Sequence, residues 1–376
     1  MFESILSWLQ SWTGNYGIAV ILFTILVRLV LSPFDYKSRK SMRKTAKLQP
    51  KLAVLQKKYA NDREKLNRKT QELYKQEHVS PLSGCLPMLL SYPILIIMFN
   101  AMRNYANQQT AQQVLTMLRL GSDLNQTNAP LEGFLWIKNL YMADSPVVSR
   151  LVDVNTLTSF GAEVWRNVLS RPENSEIVAR ILESYPQATM LNLNILENVQ
   201  CMQNYASVMG ITDIKALNLD NLTWLSTTSF GDAQNLSNTL NLMGKALAST
   251  PLYRENTETG INLFIFGTVK NLLNGFWILP IMSAASQLVM TKLTPTQQQP
   301  VADPSDPKAQ SQQATGKFMK WFFPIFSLWI CASSTAAFAL YWVTSNLIMM
   351  GTTVAMNKYL DKKEQKDTIA GEGIVQ

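Results

Sequence analysis

Apolar positions along the chain fall into long runs without charge and shorter stretches with helical periodicity. Phe2, Ile5, Leu6, Leu9 and Trp12 recur at helical spacing with polar residues between them. Over residues 1–13 this predicts an amphipathic helix lying on a membrane surface; the competing reading is a frayed end with chance periodicity. Residues 14–36 form a first apolar run, with Arg28 inside it and Asp35 at its margin. A second covers 84–103 and holds Pro87 and Pro93; a third covers 271–291. Runs near 19 residues cross about 30 Å of hydrocarbon, and proline is tolerated there when neighbouring helices satisfy the freed carbonyls. From Trp321 to Met356 the chain has 36 residues without a charge. One helix of that length would extend about 54 Å, too far for one crossing. The stretch therefore reads as two spans, 317–334 and 336–357, turning at Ser333-Ser334-Thr335. Five spans result, and the fold class is an all-α membrane protein.

The connecting segments have patterns of their own. Residues 37–83 read as a helical hairpin. Leu48, Leu52, Leu55 and Tyr59 mark one apolar stripe, Leu66 and Leu73 a weaker one, and Asn61-Asp62 the turn. Lys47, Lys51, Lys57, Lys58 and Arg63 lie on its outer faces as candidate contact residues. A solvated helix face that fixes topology accounts for these charges; contact with lipid or a ribosome is an added claim. Residues 104–270 are rich in Asn, Leu, Thr and Ser, with helices expected near 105–119, 174–186, 191–209 and 233–248. No strand alternation of useful length is visible, so the segment is expected to be mostly α-helical, and it is long enough for a small core of its own. Residues 292–316, which include Thr-Pro-Thr-Gln-Gln-Gln-Pro, read as a flexible linker, and 358–376 as a short tail.

Charge sets the expected orientation. The hydrophobic fraction is 47% and the charged fraction 16%, with a net charge of +8. Residues 37–83 carry 14 Lys and Arg against 4 Asp and Glu, a net of +10. Residues 104–270 carry 10 against 14, a net of −4. The short basic loop is expected in the cytoplasm, which puts the N-terminus outside and the C-terminus inside. The long segment 104–270 is placed outside by span count, since long loops obey the charge rule poorly. Met1-Phe2-Glu3 lacks the basic start of a cleaved signal peptide, so the first segment is expected in the mature protein. The three cysteines, Cys85, Cys201 and Cys331, form no disulfide framework.

Arg28 is the sharpest single signal. An arginine at the middle of a span costs roughly 2.5–3.5 kcal/mol, and each surrounding Leu, Ile, Val or Phe offsets about 0.3–0.6 kcal/mol. The span inserts, but the charge must still meet water or a partner. One reading is snorkelling to the interface about two turns away near Phe34; the other is a wet cavity between helices. No Asp or Glu lies in the spans apart from Asp35, so a buried ion pair is not expected. Gln287, Ser334, Thr335, Tyr341, Trp342, Ser345 and Asn346 are candidates to line such a cavity, though each alone is more often helix–helix glue. Catalysis is disfavoured. The one histidine, His78, lies outside the spans, which leaves no intramembrane Ser-His pair or His-based metal site. No paired aspartates and no phosphate loop appear, so neither an enzyme nor a cofactor is expected.

Six segments resemble the YidC-type insertases. They are Leu26-Val27-Arg28-Leu29 with Leu31-Ser32-Pro33-Phe34; Leu48-Gln49-Pro50-Lys51 with Lys58-Tyr59 and Leu73-Tyr74-Lys75; and Pro81 with Gly84-Cys85-Leu86-Pro87 and Tyr92-Pro93-Ile94. The others are Phe134-Leu135-Trp136-Ile137 with Ala143-Asp144; Ile278-Leu279-Pro280-Ile281 with Gln287 and Lys292-Leu293; and Leu340 through Leu347. The resemblance covers residues 14–145 and 272–358 in order. The chain has Ser91 where the family often has Gln, and Thr335-Ala336-Ala337 where it has a Pro-Ser-Gly-like turn. Residues 146–262 read as an insertion relative to smaller members.

The resemblance implies a five-helix insertase core around a hydrophilic groove, open to cytosol and lipid and closed outside. Arg28, Gln287, Tyr341, Trp342, Ser345 and Asn346 would form the groove, and the hairpin would receive clients. Nascent membrane proteins and the lipid bilayer are the implied partners, the ribosome and the general Sec translocon further candidates, and DNA is not expected. The implied location is a bacterial plasma membrane. The competing reading is an anion-linked channel or transporter using Arg28, which expects internal repeats that the sequence does not display. A receptor or cell-wall assembly factor would need fewer spans and no intramembrane arginine.

Overall fold

Helix starts and stops along this chain follow from a few capping residues. The computed structural model describes residues 2–59, 62–77, 86–169, 171–174, 177, 233–256, 258–264, 267–293 and 307–372. The chain divides into two units, Met1–Asn100 with Ile278–Gln376, and Ala101–Trp277.

In the first unit, α1 (Phe2–Thr13) ends where Gly14 adopts φ +68° and its N–H bonds Gln10 O at 2.8 Å. A left-handed residue there is open to glycine at no steric cost. The extended Asn15 then caps α2 (Tyr16–Lys58), its side chain accepting from Ile18 N at 3.2 Å. Leu6 and Leu9 are buried as α1 packs on α2, and Phe2 meets the Phe23 ring edge-on at 6.0 Å. Trp8 and Trp12 are exposed and stacked, 6.5 Å apart.

No boundary separates residues 14–36 from 37–83: α2 is one helix of 43 residues through Pro33 and Pro50. Proline at 33 leaves the Leu29 carbonyl without its helical donor. The Ser32 hydroxyl takes that carbonyl at 2.9 Å, so the helix continues. Its far end pairs with α3 (Arg63–Gln76), where Leu48 and Leu52 pack against Leu73 and Tyr74. Asp62 caps α3 by accepting from Lys65 N at 2.9 Å. Asn61, expected in the turn, lies outside the described residues.

The helix of the second expected span continues past 103, because no Gly or Pro follows Pro93 within α4 (Leu86–Leu120). The span expected over 271–291 starts late, as α8 (Ile278–Leu293), for a reason found in the second unit. The expected linker 292–316 is helical from Pro307, where α9 (Pro307–Ser333) begins; residues 294–306 lie outside the described residues. Proline suits a first helical position, where its missing N–H has no partner to lose. Ser334 and Thr335 separate α9 from α10 (Ala336–Glu372), and the Thr335 hydroxyl accepts from Phe338 N at 3.4 Å. α10 passes the expected boundary at 357 by 15 residues. Arg43 of α2 holds this extension, donating to Asp361 Oδ1 at 2.7 Å and Asn357 O at 3.0 Å.

α10 packs against α2, α8 and α9, with Ala336, Ala337 and Ala339 fully buried. Small residues let helix backbones approach closely. Many outward faces are apolar: Leu29, Val30 and Phe34 on α2, Phe318, Ile325 and Trp329 on α9. Water-soluble monomers rarely expose such contiguous surface. Among the described residues, Tyr16–Leu48 and Ala336–Lys362 are long and apolar enough to cross a membrane, with mean hydropathies of 2.3 and 1.2 over an 18-residue window.

The second unit has its own core. Leu115 and Met117 of α4 pack with Trp165 and Val168 of α5 (Ala162–Leu169) and with Leu240, Met243 and Leu247 of α6 (Ala233–Ala248). The buried Trp165 indole donates to Leu157 O at 2.7 Å. α6 occupies the expected 233–248. The expected helix 191–209 lies outside the described residues, as does 174–186 apart from Asn174 and Ile177. After α7 (Pro251–Glu255) comes an element the sequence reading lacked: an antiparallel pair, β1 (Glu258–Asn262) and β2 (Thr268–Lys270). These strands are too short to carry a readable alternation, and the pair turns through Gly267 at φ +97°.

Residues 271–277 are kept out of α8 by buried polar side chains. Asn274 donates to Asn139 O at 2.9 Å and Ala143 O at 2.8 Å, and accepts from Asn139 N at 2.7 Å. Asn139 exchanges hydrogen bonds with Gln113 and donates to Arg150 O at 3.0 Å. Asp144 accepts from Phe276 N at 2.8 Å. Those bonds satisfy backbone groups that a longer helix would otherwise take.

The Asp144 carboxylate sits so close to Gly275 that a Cβ there would lie 2.0 Å from Oδ1 and 3.1 Å from the Asp144 Cα. Gly275→Ala is therefore expected to destabilise the second unit by roughly 3 kcal/mol. Gly121→Ala, at φ +53° with no atom within 4 Å, should cost only about 1 kcal/mol. Thermal unfolding of the full chain in detergent compares the two; equal shifts would contradict the Asp144 clamp.

Candidate functional site

Two rows of α10 carry hydrogen bonds to the neighbouring helices of the first unit. Ser345 and Met349 form one i,i+4 row, turned to α2; Trp342 and Asn346 form the next, turned to α8 and α9. Residues four apart stand one above the other on a helix, so each row presents a continuous polar edge to its neighbour.

On the first row, Arg28 donates from Nε to Ser345 Oγ at 2.7 Å, from Nη2 to the same oxygen, and from Nη1 to Met349 Sδ at 3.7 Å. Every one of these acceptors is neutral. Arg28 is half-buried, and Ser345 is buried. Tyr341 is buried beside them, with Arg28 and Ser345 as polar neighbours of its hydroxyl and the Phe338 ring at 6.1 Å.

The second row is a hydrogen-bonded chain. Gln287 donates to Asn346 Oδ1 at 3.4 Å, and Asn346 donates to Ser286 Oγ at 2.9 Å. Trp342 Nε1 donates to Ser327 Oγ at 2.6 Å, and Ser283 Oγ to Ser327 O at 3.1 Å. The structure thus brings Arg28 to Ser345 and Gln287 to Asn346, and sets Trp342 on Ser327 instead of beside the arginine. Ser283, Ser286, Ser327 and Met349 were not singled out from sequence. Ser283, Ser286 and Gln287 share the i, i+3, i+4 spacing of a small-polar helix face, a signal that was available. Met349 carried none.

The hairpin residues stand apart. Lys47, Lys51, Lys57 and Lys58 are exposed on α2. Lys51 pairs with Glu77, and the Lys58 ammonium lies 5.7 Å from the centre of the Tyr59 ring. The Arg63 side chain lies outside the described residues. A hydrogen bond from Lys69 holds the Glu72 carboxyl below its usual range, with the Lys69 and Arg68 charges acting in the same direction. Among the described residues, no group of three His, Cys, Asp or Glu is placed to hold a metal. His78, Cys85 and Cys201 lie outside them.

The sequence matches the family described as 60Kd inner membrane protein over residues 8–212 and 216–364. That match also runs through most of 146–262, the segment read from sequence as an insertion. A protein named membrane protein insertase YidC from Fusobacterium nucleatum is 46% identical over 95 residues, 25% of this chain and 46% of that protein. One of the same name from Anaeromyxobacter dehalogenans is 39% identical over 140 residues, 37% and 22% of the two chains. Another from Nitratidesulfovibrio vulgaris is 36% identical over 193 residues, 51% and 33%. The chain spans less than half the length of each of these relatives.

Hydrogen bonds between apolar helices average about 0.6 kcal/mol and reach about 1.7 kcal/mol in double-mutant cycles. The Ser286–Asn346 pair should show a coupling in that range when Ser286→Ala and Asn346→Ala are combined and unfolding is followed in mixed micelles. Additive effects would mean that the two side chains do not hold α8 to α10.

Proposed function

Because the chain belongs to the 60Kd inner membrane protein family, a multi-pass helical membrane protein family, we propose that it inserts other proteins into the membrane. In this reading five spans surround a hydrophilic groove that contains Arg28, Gln287, Tyr341, Trp342, Ser345 and Asn346. The hairpin and the C-terminus lie in the cytoplasm and the N-terminus outside. Nascent membrane proteins enter from the cytosolic side, delivered by a ribosome or together with the general Sec translocon.

The observation that carries the reading is the state of Arg28. Its three hydrogen bonds among the described residues all go to neutral atoms of α10. A guanidinium has five N–H donors, so two remain for a ligand. Asp35 on the same helix lies within electrostatic reach of this charge, but none of the three bonds goes to it. A client carrying an acidic or polar tail supplies the missing acceptor. Its apolar helix then moves into lipid along the greasy outward faces, and about 20 apolar residues leaving water outweigh the transfer of a short polar tail. The protein lowers the barrier and forms no covalent bond. Lys47, Lys51, Lys57, Lys58 and Arg63 favour anionic lipid or ribosomal RNA at the mouth.

Arg28→Ala is expected to weaken insertion of clients with acidic outer tails more than of clients with neutral tails, measured by protease protection in proteoliposomes. Equal losses would argue against electrostatic capture. Arg28→Lys should be milder, because a charge rather than a planar fork is required. A photo-crosslinking residue at Gln287 should yield adducts with nascent single-span proteins on stalled ribosomes, and these should vanish once the client is released into lipid. An adduct-free Gln287, beside a lipid-facing control that behaves normally, would close the groove to clients.

A further inference from the structure

Among the described residues of the second unit, four large apolar side chains stand exposed: Leu135, Ile261, Phe264 and Phe276. The other large apolar residues described in this unit are wholly or partly covered, many of them in its core. Leu135 is 74% exposed and occupies the tip of a tight turn closed by reciprocal Phe134–Ile137 hydrogen bonds of 3.0 Å. Its φ is +53°, a region that disfavours any residue with a Cβ. A water-facing turn has no physical need for leucine at such a position; glycine or asparagine would fit without strain.

The turn is tied to the chain that leads into α8. Lys138 N donates to Asn274 O at 3.1 Å. The Asp144 carboxylate accepts from the Trp136 indole at 3.4 Å and from Phe276 N at 2.8 Å. Phe276 is 54% exposed, and Ile278, the first residue of α8, lies two residues further on. Two residues of chain reach at most about 7 Å. Phe276 is therefore held near the end of an apolar helix, the depth at which aromatic side chains collect in membrane proteins. Beside the turn, Leu135 lines an open pocket of about 430 Å³ together with Lys138 and Arg150, two cations of the kind that pair with phosphate.

We propose that the Leu135 turn and Phe276 form a lipid contact, inserted into the outer leaflet where α8 begins, with Lys138 and Arg150 at the depth of the headgroup phosphates. The proposal rests on the reading of α8 as a membrane span. Lipid covers the apolar tip that water would leave bare.

Nitroxide labels on the full chain in proteoliposomes test this, after Cys85, Cys201 and Cys331 are replaced by serine. Labels go at Leu135→Cys, at Ile325→Cys on the exposed face of α9, and at Thr158→Cys on the exposed surface of the second unit. The ratio of oxygen to nickel-chelate collisions at Leu135 should be several-fold above that at Thr158 and close to that at Ile325. A ratio equal to that at Thr158, or a label shielded from both reagents, overturns the proposal while Ile325 still reads as lipid-exposed. A watery ratio at Ile325 as well would instead sink the spanning reading. In the chain with its native cysteines, a benzophenone side chain at position 135 should give phospholipid adducts on irradiation; adducts at 325 but not at 135 would overturn the proposal independently.

Discussion

A polar group carried into hydrocarbon must find its partner on a neighbouring helix, because no water is there to take it. In this chain that constraint converges on α10. Its two rows receive Arg28 from α2, Gln287 and Ser286 from α8, and Ser327 from α9 through Trp342. Apolar side chains do little to choose among helix neighbours when the surroundings are equally apolar. Directional hydrogen bonds and the closely approaching alanines at the start of α10 therefore specify which helices meet.

The same requirement explains continuity where proline promised a break. Ser32 covers the carbonyl that Pro33 leaves open, so the helix carrying Arg28 is the helix that carries the basic hairpin arm. The arginine and the exposed lysines thus share one continuous helix. Arg43 adds a link from that element to the extension of α10 through Asp361 and Asn357. A single exposed ion pair contributes about 1 kcal/mol or less, so this link orients the extension more than it stabilises it.

In the second unit the governing groups are Asn139, Asn274 and Asp144. Asn139 and Asn274 are fully buried; the Asn274 amide bonds the backbone of Asn139 and Ala143, the Asn139 amide bonds Gln113 and the Arg150 carbonyl, and Asp144 fastens Phe276 and Trp136. They decide where the apolar helix α8 begins. An uninterrupted apolar window from Leu272 onward is compatible with a longer helix. What shortens it is the chance for Asn274 and Asp144 to bond backbone groups more than a hundred residues distant in sequence.

The sequence by itself determined the helical class, the apolar runs, the paired character of 321–356 with its turn near Ser333-Ser334-Thr335, the amphipathic start, the helix at 233–248, and the presence of an arginine inside the first run with one acid, Asp35, at its margin. Each depends on local periodicity or composition, which a linear reading captures. The family resemblance was legible in the same way, from short motifs in order. Only the tertiary structure decided that α2 and α4 run through their expected boundaries, that α8 starts at Ile278, that a strand pair sits at 258–270, and that Arg28 bonds Ser345 while Trp342 turns to Ser327. Those outcomes depend on which side chain reaches which carbonyl across long sequence separations. Hydrogen bonds of that kind leave no periodic trace along the chain.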